Sequence, residues 1–185
     1  QIVNSISYCS ALYTTNTEID GLDLSHISIE FATFQNTGIP AKFPNALIVS
    51  IFEDTSFSGS LDVADYLNSD NKLMALELSD IPNLLELNCS GTSLSMISVD
   101  LSNLRTLNLR SSAAFDEITL DAPELNNIKV GTTTENAAQQ IADFITQSTK
   151  AMGAKLFLSN ANETSYNQLM ADAATSKGWN VTYED

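Results

Sequence analysis

Apolar residues recur along the middle of this chain with a period of 21 positions, from Leu73 to Glu135. Three consecutive segments, 73–93, 94–114 and 115–135, align with apolar residues at six equivalent places, with a slip of one residue between segments. Each segment contains the pattern L-x-x-L-x-L twice, and the alternation within that pattern predicts a short strand with one apolar face. The six sets are Leu73, Leu94 and Phe115; Leu76, Ile97 and Ile118; Leu78, Val99 and Leu120; Leu84, Leu104 and Leu125; Leu87, Leu107 and Ile128; and Cys89, Leu109 and Val130.

A single segment of this kind cannot bury its own apolar row, whereas stacked segments bury each other's rows, which is the physical basis of a solenoid. Weaker copies at 24–34 and 46–57 extend the pattern towards the amino terminus. We therefore expect repeats over 24–135, with an insertion near 58–72 in which "LDVADYL" forms a short helix. Residues 1–23 show no clear repeat and are expected to cap that end of the stack.

The carboxyl-terminal part has a helical periodicity. Thr132 and Glu135 have the spacing of a capping box, which predicts a helix that starts near Thr132 and ends before Gly153. The sequence then predicts a strand over 154–159, a second helix over 164–178 and a last strand in "WNVTYE". Alternating strands and helices of this kind favour parallel pairing through right-handed crossovers. The apolar positions at helical spacing are Ala138, Ile141, Ile145 and Met152 in the first helix, and Tyr166, Leu169, Met170 and Ala173 in the second.

These elements predict an α/β protein: a repeat solenoid with a parallel sheet, followed by a helix-strand-helix-strand cap over 136–185. We expect the cap to extend the repeat sheet and to cover its open edge, because an unpaired edge is a site of aggregation. No linker rich in glycine, proline or serine divides the chain, so residues 1–185 are expected to form one domain.

The repeats resemble the leucine-rich repeat family, in particular the short 21-residue repeats of secreted and surface proteins from Bacteroides-type bacteria. The residues that carry the resemblance are "LELSDIPNLLELNCSGTS" and "VDLSNLRTLNLRSS". It covers 73–135 well and the upstream copies weakly. Where the family usually has a turn asparagine inside the stack, this chain has hydroxyl or acidic residues that we expect to bond the turn backbone. They are Thr92, Ser112, Thr133 and Asp54.

The charge balance excludes several classes of partner. Eight basic and 23 acidic residues give a formal net charge of −15. Such a surface repels phosphate backbones and anionic lipid headgroups over roughly 8 Å at physiological salt. The longest nearly apolar run, at 46–52, is far shorter than the ~20 residues of a membrane helix. We therefore expect neither nucleic-acid binding nor membrane insertion of this segment. The chain also opens without the charged and apolar regions of a secretory signal.

The chain offers little catalytic or metal-binding chemistry. His26 is its single histidine, and it contains no phosphate-binding, dinucleotide-binding, zinc-protease or nucleophile-elbow motif. We expect His26 to lie at an outward strand position, and we expect no enzyme activity, cofactor or metal. Cys9 and Cys89 are far apart, and a buried free thiol at Cys89 is favoured over a disulfide. Trp179 is expected in the core.

Two acidic pairs leave an alternative open, because paired carboxylates act as general acid and base or bind calcium. They are Glu53 with Asp54, and Asp62 with Asp65. No EF-hand spacing frames either pair, and we expect solvated loop carboxylates.

One set of polar residues has a positional argument for function. If the apolar residues of L-x-x-L-x-L face the core, the residues between them form an outward row across a concave sheet. In leucine-rich repeat families this surface commonly binds proteins, and the resemblance therefore implies a ligand-binding row. Its members are Glu86, Asn88 and Ser90; Thr106, Asn108 and Arg110; and Asn127, Lys129 and Gly131. The candidate ligand-binding residues among them are Glu86, Asn88, Thr106, Asn108, Arg110, Asn127 and Lys129.

Three functional hypotheses follow. The first is a non-enzymatic binding or adhesion module whose partner is a protein or a glycan, with secretion or a bacterial cell-surface location implied by the family resemblance. The second is a structural spacer or subunit of an envelope assembly. The third, an acidic-residue hydrolase, requires two carboxylates facing each other in a cleft. A contiguous, partly apolar patch on the outward row would favour binding over a spacer, and the predicted row has none.

Overall fold

The computed structural model describes residues 11–69, 71–111, 113–150 and 152–185. Within these ranges the chain forms twelve strands, two α-helices and one 3-10 helix. Residues 1–10 of the predicted amino-terminal cap, including Cys9, therefore lie outside the described residues, whereas residues 11–15 of that cap form the first strand. The strands are β1 (Ala11–Thr15), β2 (Phe31–Gln35), β3 (Ile48–Phe52), β4 (Gly59–Asp62), β5 (Ala75–Ser79), β6 (Leu84–Asn88), β7 (Met96–Asp100), β8 (Thr106–Leu109), β9 (Glu117–Asp121), β10 (Asn127–Val130), β11 (Lys155–Ser159) and β12 (Asn180–Glu184).

The strands form two parallel sheets. Sheet I has the order β1-β2-β3-β5-β7-β9, and sheet II has the order β12-β11-β10-β8-β6-β4. From β3 to β10 the chain alternates between the sheets, so that each 21-residue segment contributes one strand to each. The class is α/β, as expected, but the repeats form two sheets where one was expected. The reason is that the two L-x-x-L-x-L copies of a segment enter different sheets.

The strand register confirms the repeat alignment. In sheet I, Leu76 pairs with Ile97, which pairs with Ile118. In sheet II, Leu87 pairs with Leu107, which in turn pairs with Ile128. The aligned residues of both sheets are buried in one hydrophobic cluster, and Leu120 is packed against it while partly exposed. The two sheets therefore share a single core.

A repeated irregularity marks the start of the sheet I strands. The backbone N–H groups of Leu47 and Ile48 both donate to the carbonyl of Glu30, and those of Met74 and Ala75 both donate to the carbonyl of Leu47. Two residues thus oppose one, as in a β-bulge. The bulge explains why the two residues between the first and second leucine of L-x-x-L-x-L both lie outside the shared core. The same pattern recurs at Ser95 with Met96 and at Asp116 with Glu117.

The expected insertion at 58–72 is partly regular structure. Gly59–Asp62 is the edge strand of sheet II and pairs with β6, which the sequence did not predict. The predicted short helix is present as a 3-10 helix at Val63–Tyr66. Asp62 caps it by accepting a hydrogen bond from the backbone N–H of Ala64.

The first α-helix, α1, spans Glu135–Gln147 and is shorter than predicted. Its N-cap is Thr134, whose hydroxyl accepts from the backbone N–H of Ala137 at 3.4 Å, so the expected cap at Thr132 is wrong. The helix ends before Ser148, whose hydroxyl instead accepts from the N–H of Lys150, a local bond that competes with helix continuation. Met152 consequently lies outside the helix and is 93% exposed. The other predicted core positions are buried: Ala138, Ile141 and Ile145.

The tail acts on both sheets. Strands β11 and β12 extend sheet II through parallel pairing with β10. Helix α1 lies beside β9, where Gln140 Oε1 accepts the backbone N–H of Ile118 at 2.7 Å and so covers the edge of sheet I. The extension and the edge covering, expected on one sheet, are therefore divided between two, and β12 becomes the last strand of sheet II.

The second α-helix, α2, spans Thr164–Ser176 and packs against α1. Of the four expected apolar positions, Met170 is fully buried, and the others are partly buried against the core: Tyr166, Leu169 and Ala173. Trp179 is buried as expected, and its Nε1 donates to the carbonyl of Lys150 at 2.9 Å. In the described part of the chain, no helix is both long enough and apolar enough to cross a lipid bilayer. The buried residues of α2 are Asn167, Met170, Ala171 and Ala174.

Candidate binding surfaces

The predicted row lies on the outer face of sheet II, and the structure brings its members together. Glu86 pairs with Thr106, and Thr106 pairs with Asn127 across the starts of β6, β8 and β10. A second line, towards the strand ends, consists of Asn88, Asn108 and Lys129. Glu86 is exposed and the others are partly exposed.

The asparagines of this row form a hydrogen-bonded ladder. Asn108 Nδ2 donates to Asn88 Oδ1 at 2.8 Å, and Asn88 Nδ2 donates to Asp62 Oδ2 at 2.6 Å. Asn88 Oδ1 also accepts the backbone N–H of Ser90, and Asn108 Oδ1 accepts that of Arg110, in each case two residues further on. These contacts satisfy the strand ends, and the amides are therefore committed to the fold.

Residues that stand where the leucine-rich repeat family usually has a turn asparagine are also hydrogen-bonded within the fold. Thr92 donates to the carbonyl of Cys89 at 2.7 Å, and Thr133 is hydrogen-bonded to Asn162. Asp54 is buried, so the expectation that it is a solvated loop carboxylate is wrong. Its Oδ1 accepts three hydrogen bonds, from the N–H and hydroxyl of Ser56 and from a neighbouring N–H. Ser112 lies outside the described residues.

The two basic residues of the row have partners within the molecule. Arg110 Nη2 forms an ion pair of 2.5 Å with Glu184 on β12. Lys129 Nζ lies 5.7 Å from the centroid of the Phe157 ring, at cation–π distance. A Cβ on Gly131 would meet Arg110 Cα at 3.1 Å, so the glycine permits the close approach of the two turns. Because each cation has a partner within the molecule, Arg110 and Lys129 are not a free pair that could bind one ligand together.

Cys89 is a free, buried thiol, as predicted. Burial raises its pKa far above the ordinary value, and the negative charge of Asp62 acts in the same direction. The neutral thiol is a poor nucleophile, because the thiolate is the reactive form. Cys89 therefore contributes packing, with no reactive role.

The outer face of sheet I carries an apolar feature that was not predicted from the sequence. Phe31 pairs with Ile48, Ile48 with Ala75, and Ala75 with Met96, which places four apolar residues in one line across four strands. The bulges add Leu47 and Met74 beside this line. Phe31 and Met74 are each 48% exposed, and Leu47 is 38% exposed. We call these six residues the apolar row: Phe31, Leu47, Ile48, Met74, Ala75 and Met96. The signal in the sequence was the apolar character of several x-x positions in L-x-x-L-x-L.

Acidic residues border the apolar row. A shallow depression of about 130 Å³ contains Ile48, Ala75 and Met96, with Glu77 and Glu117 in its lining. Glu77 Oε2 accepts a hydrogen bond of 2.7 Å from Ser50 on the neighbouring strand, which fixes this carboxylate at the margin.

The two outer faces differ in charge. The strands of sheet I contain four acidic residues and no basic one, whereas those of sheet II include basic residues on β10 and β11. The acidic residues of sheet I are Glu77, Asp100, Glu117 and Asp121.

Other depressions hold fewer cues. A groove of about 510 Å³ lies between β9 and α1, with Asp121, Asp143 and Phe144 in its lining. A depression of about 310 Å³ contains Glu53, Asp80 and Asp100 at the ends of three sheet I strands. Among the described residues, no group of three or more histidine, cysteine, aspartate or glutamate side chains is arranged to hold a metal ion.

His26 is exposed in a turn, so its expected strand position is wrong, although its surface location agrees with the prediction. Its imidazole therefore adds no chemistry to either outer face.

Comparison of the chain with protein-family models, with curated proteins and with solved structures finds no match.

Proposed function

We propose that this chain is a non-enzymatic, protein-binding module of the leucine-rich repeat type, and that the apolar row of sheet I is its docking surface. The observation that carries the proposal is the line of apolar side chains from Phe31 to Met96, in strand register on the outer face of sheet I, where Ala75 is buried between its partly exposed neighbours. The row predicted on sheet II becomes the secondary candidate, because Asn88, Asn108 and Arg110 already have side-chain partners within the fold.

The apolar row has the composition of an interface centre. Contiguous exposed apolar residues rimmed by polar ones are typical of protein-interaction sites. Aromatic residues and methionine are enriched in interface cores, and Phe31, Met74 and Met96 supply them. This composition favours a protein partner over a glycan.

The repeat architecture supports the family proposal. The 21-residue register holds through β5, β7 and β9 and through β6, β8 and β10. This arrangement is compatible with a solenoid in which each repeat adds one rung to both sheets. The resemblance to secreted and surface proteins also supports export to the cell surface as part of the proposal.

A matched pair of residues tests the docking surface. Leu47 on sheet I and Leu85 on sheet II both follow the first leucine or its equivalent in the repeat, and they are 38% and 37% exposed. We expect Leu47→Ser combined with Met74→Ser to reduce at least tenfold the amount of a given protein retained by the immobilised chain from an extracellular fraction. Leu85→Ser should retain that protein at the unmodified level.

Equal retention by all chains would overturn the docking surface and favour the structural spacer, which would use sheet edges such as β12. Equal loss from the double variant and Leu85→Ser would show general stickiness. Far-UV circular dichroism of each variant checks that the fold is intact. We expect it to be unchanged, because surface substitutions of this kind change stability little.

A further inference from the structure

We infer that the segment that docks on the apolar row is basic as well as apolar, so that the partner is a cationic amphipathic segment of another protein. This inference rests on the proposed function and specifies the partner's chemistry. It comes from the distribution of charge around the apolar row.

Carboxylates lie on three sides of the apolar row. Glu117 continues the line of Phe31, Ile48, Ala75 and Met96 on the next strand, since it pairs with Met96. Glu77 lies two residues beyond Ala75 along β5, about 7 Å away on the same face. Glu30 and Asp116 are exposed and occupy the positions equivalent to Leu47 and Met74, at the two ends of the second line that these residues form. A bound segment that covers the apolar row therefore places its flanking side chains over carboxylates.

Basic residues do not offset this charge. The strands of sheet I contain none, and Arg110 and Lys150 form ion pairs elsewhere, with Glu184 and Glu124. Lys42 donates to two backbone carbonyls through its Nζ. Lys72, two residues before Met74, is the basic residue closest in sequence to the apolar row, and its single charge compares with four bordering carboxylates.

The same charges argue against a second copy of this chain as the occupant. A two-fold contact sets the same patch on both subunits face to face. Glu77 and Glu117 of one copy would then approach those of the other, within chains that each carry a formal net charge of −15. Like charges brought together in an interface cost several kcal/mol. A foreign segment with lysine or arginine beside its apolar residues converts this repulsion into attraction.

The dimensions suit a short segment. Four neighbouring strands place the ends of the line about 14 Å apart, since strands are spaced about 4.8 Å. This distance corresponds to roughly ten residues of an α-helix or about four of an extended chain. A peptide is therefore a sufficient probe.

The test uses two soluble peptides: one combines leucine with lysine, and its counterpart has glutamate in place of every lysine. Binding to the full chain is measured by fluorescence anisotropy. We expect the lysine peptide to bind at least tenfold more tightly than the glutamate peptide. Glu77→Gln with Glu117→Gln should weaken the lysine peptide about fivefold, because two surface charge pairs are lost. Gln at position 77 retains an acceptor for Ser50.

A control pair separates local from general attraction. Glu18→Gln with Glu163→Gln makes the same change in net charge on exposed residues outside both candidate rows and the bordering carboxylates, and it should leave binding unchanged. Leu47→Ser with Met74→Ser should weaken the lysine peptide at least tenfold.

The outcomes distinguish the two proposals. If loss of the apolar side chains weakens binding but neutralisation at Glu77 and Glu117 does not, the docking surface stands and the basic partner is wrong. If the apolar substitutions have no effect, or the control pair weakens binding as much as the Glu77 and Glu117 pair, the peptide binds by general attraction and the basic segment is also overturned. An absence of effect at the apolar row further contradicts the proposed function.

Discussion

Asn108 donates a hydrogen bond of 2.8 Å from its side-chain amide to the side-chain oxygen of Asn88 on the neighbouring strand. The contact continues to Asp62, so that three adjacent strands of sheet II are joined at their carboxyl ends. Each member also accepts a backbone N–H from the turn that follows it. Residues predicted to bind a ligand thus stabilise the turns between the two sheets.

Removal of one ladder residue should therefore destabilise the protein more than removal of an ordinary surface side chain. Asn108→Ala leaves the Arg110 N–H without its partner and removes one of the two hydrogen bonds to Asn88 Oδ1, and we expect a loss of about 1–2 kcal/mol in the free energy of unfolding. Thr106→Ala, on the same strand and face, should change it by about 0.5 kcal/mol or less. Urea denaturation measures both, and equal effects would mean that the ladder contributes nothing.

The buried register makes a stronger prediction at the adjacent position. Leu107 is fully buried between Leu87 and Ile128, its partners in sheet II. Leu107→Ala should lower the free energy of unfolding by about 2–5 kcal/mol, because it leaves a cavity in a packed core. A loss below that of Asn108→Ala in the same urea titrations would contradict the assignment of Leu107 to the core.

Cys89 predicts a dependence of stability on pH. Folding holds its thiol protonated, because burial raises its pKa above that of the unfolded chain. The stabilisation is complete below the pKa of the unfolded thiol, about 8.5, and it declines at about 1.4 kcal/mol per pH unit above that value. The stability difference between the unmodified chain and Cys89→Ala should therefore shift by about 2 kcal/mol against the unmodified chain from pH 8.5 to pH 10.

The comparison with Cys89→Ala removes the effects of other groups that titrate in this range, including Tyr66, whose pKa is raised by burial and by the nearby charges of Asp65 and Asp20. Denaturation in a Cys9→Ser background isolates the buried thiol. A difference that stays constant over this pH range would show that the thiol ionises as easily in the folded state as in the unfolded one.

Trp179 tests whether the repeats and the tail form one domain. It is the single tryptophan and is buried in the tail, where its indole N–H donates to the carbonyl of Lys150. Backbone hydrogen exchange of the repeat strands in increasing urea supplies a second probe. Because β10 pairs with β11 and α1 covers β9, we expect fluorescence and hydrogen exchange to report one coincident unfolding transition. Two separate midpoints would divide the chain into independent units.

The repeat core was predictable because burial imposes a strict period on the sequence. Leu76, Ile97 and Ile118 coincide in the alignment and also in the sheet. The number of sheets was not predictable from the same pattern, since L-x-x-L-x-L shows which face is buried but not which sheet the strand joins. The Thr132 cap failed for a related reason: three successive threonines offer similar local signals, and the packing of Thr133 against Asn162 places Thr134 at the cap.

The position of the predicted row on sheet II followed from the sequence, but the partners of its side chains did not. Glu86, Thr106 and Asn127 form the expected line on sheet II, because strand register follows from the repeat. The pairing of Arg110 with Glu184 joins residues 74 positions apart, and no local pattern announces it. The apolar row was missed because polar residues were expected at every solvent-facing position.

The bulges at the starts of β3, β5, β7 and β9 divide the residues of each repeat into those that pack in the core and those that lie on the outer face. Leu73 and Leu76 pack in the core and fix the stacking of the repeats. The two residues between them lie on the outer face, where we expect substitutions to leave the stacking unchanged. One further repeat would lengthen the apolar row by about 4.8 Å, the spacing of one strand. The side chains of this outer face can therefore change from repeat to repeat without any change to the interior.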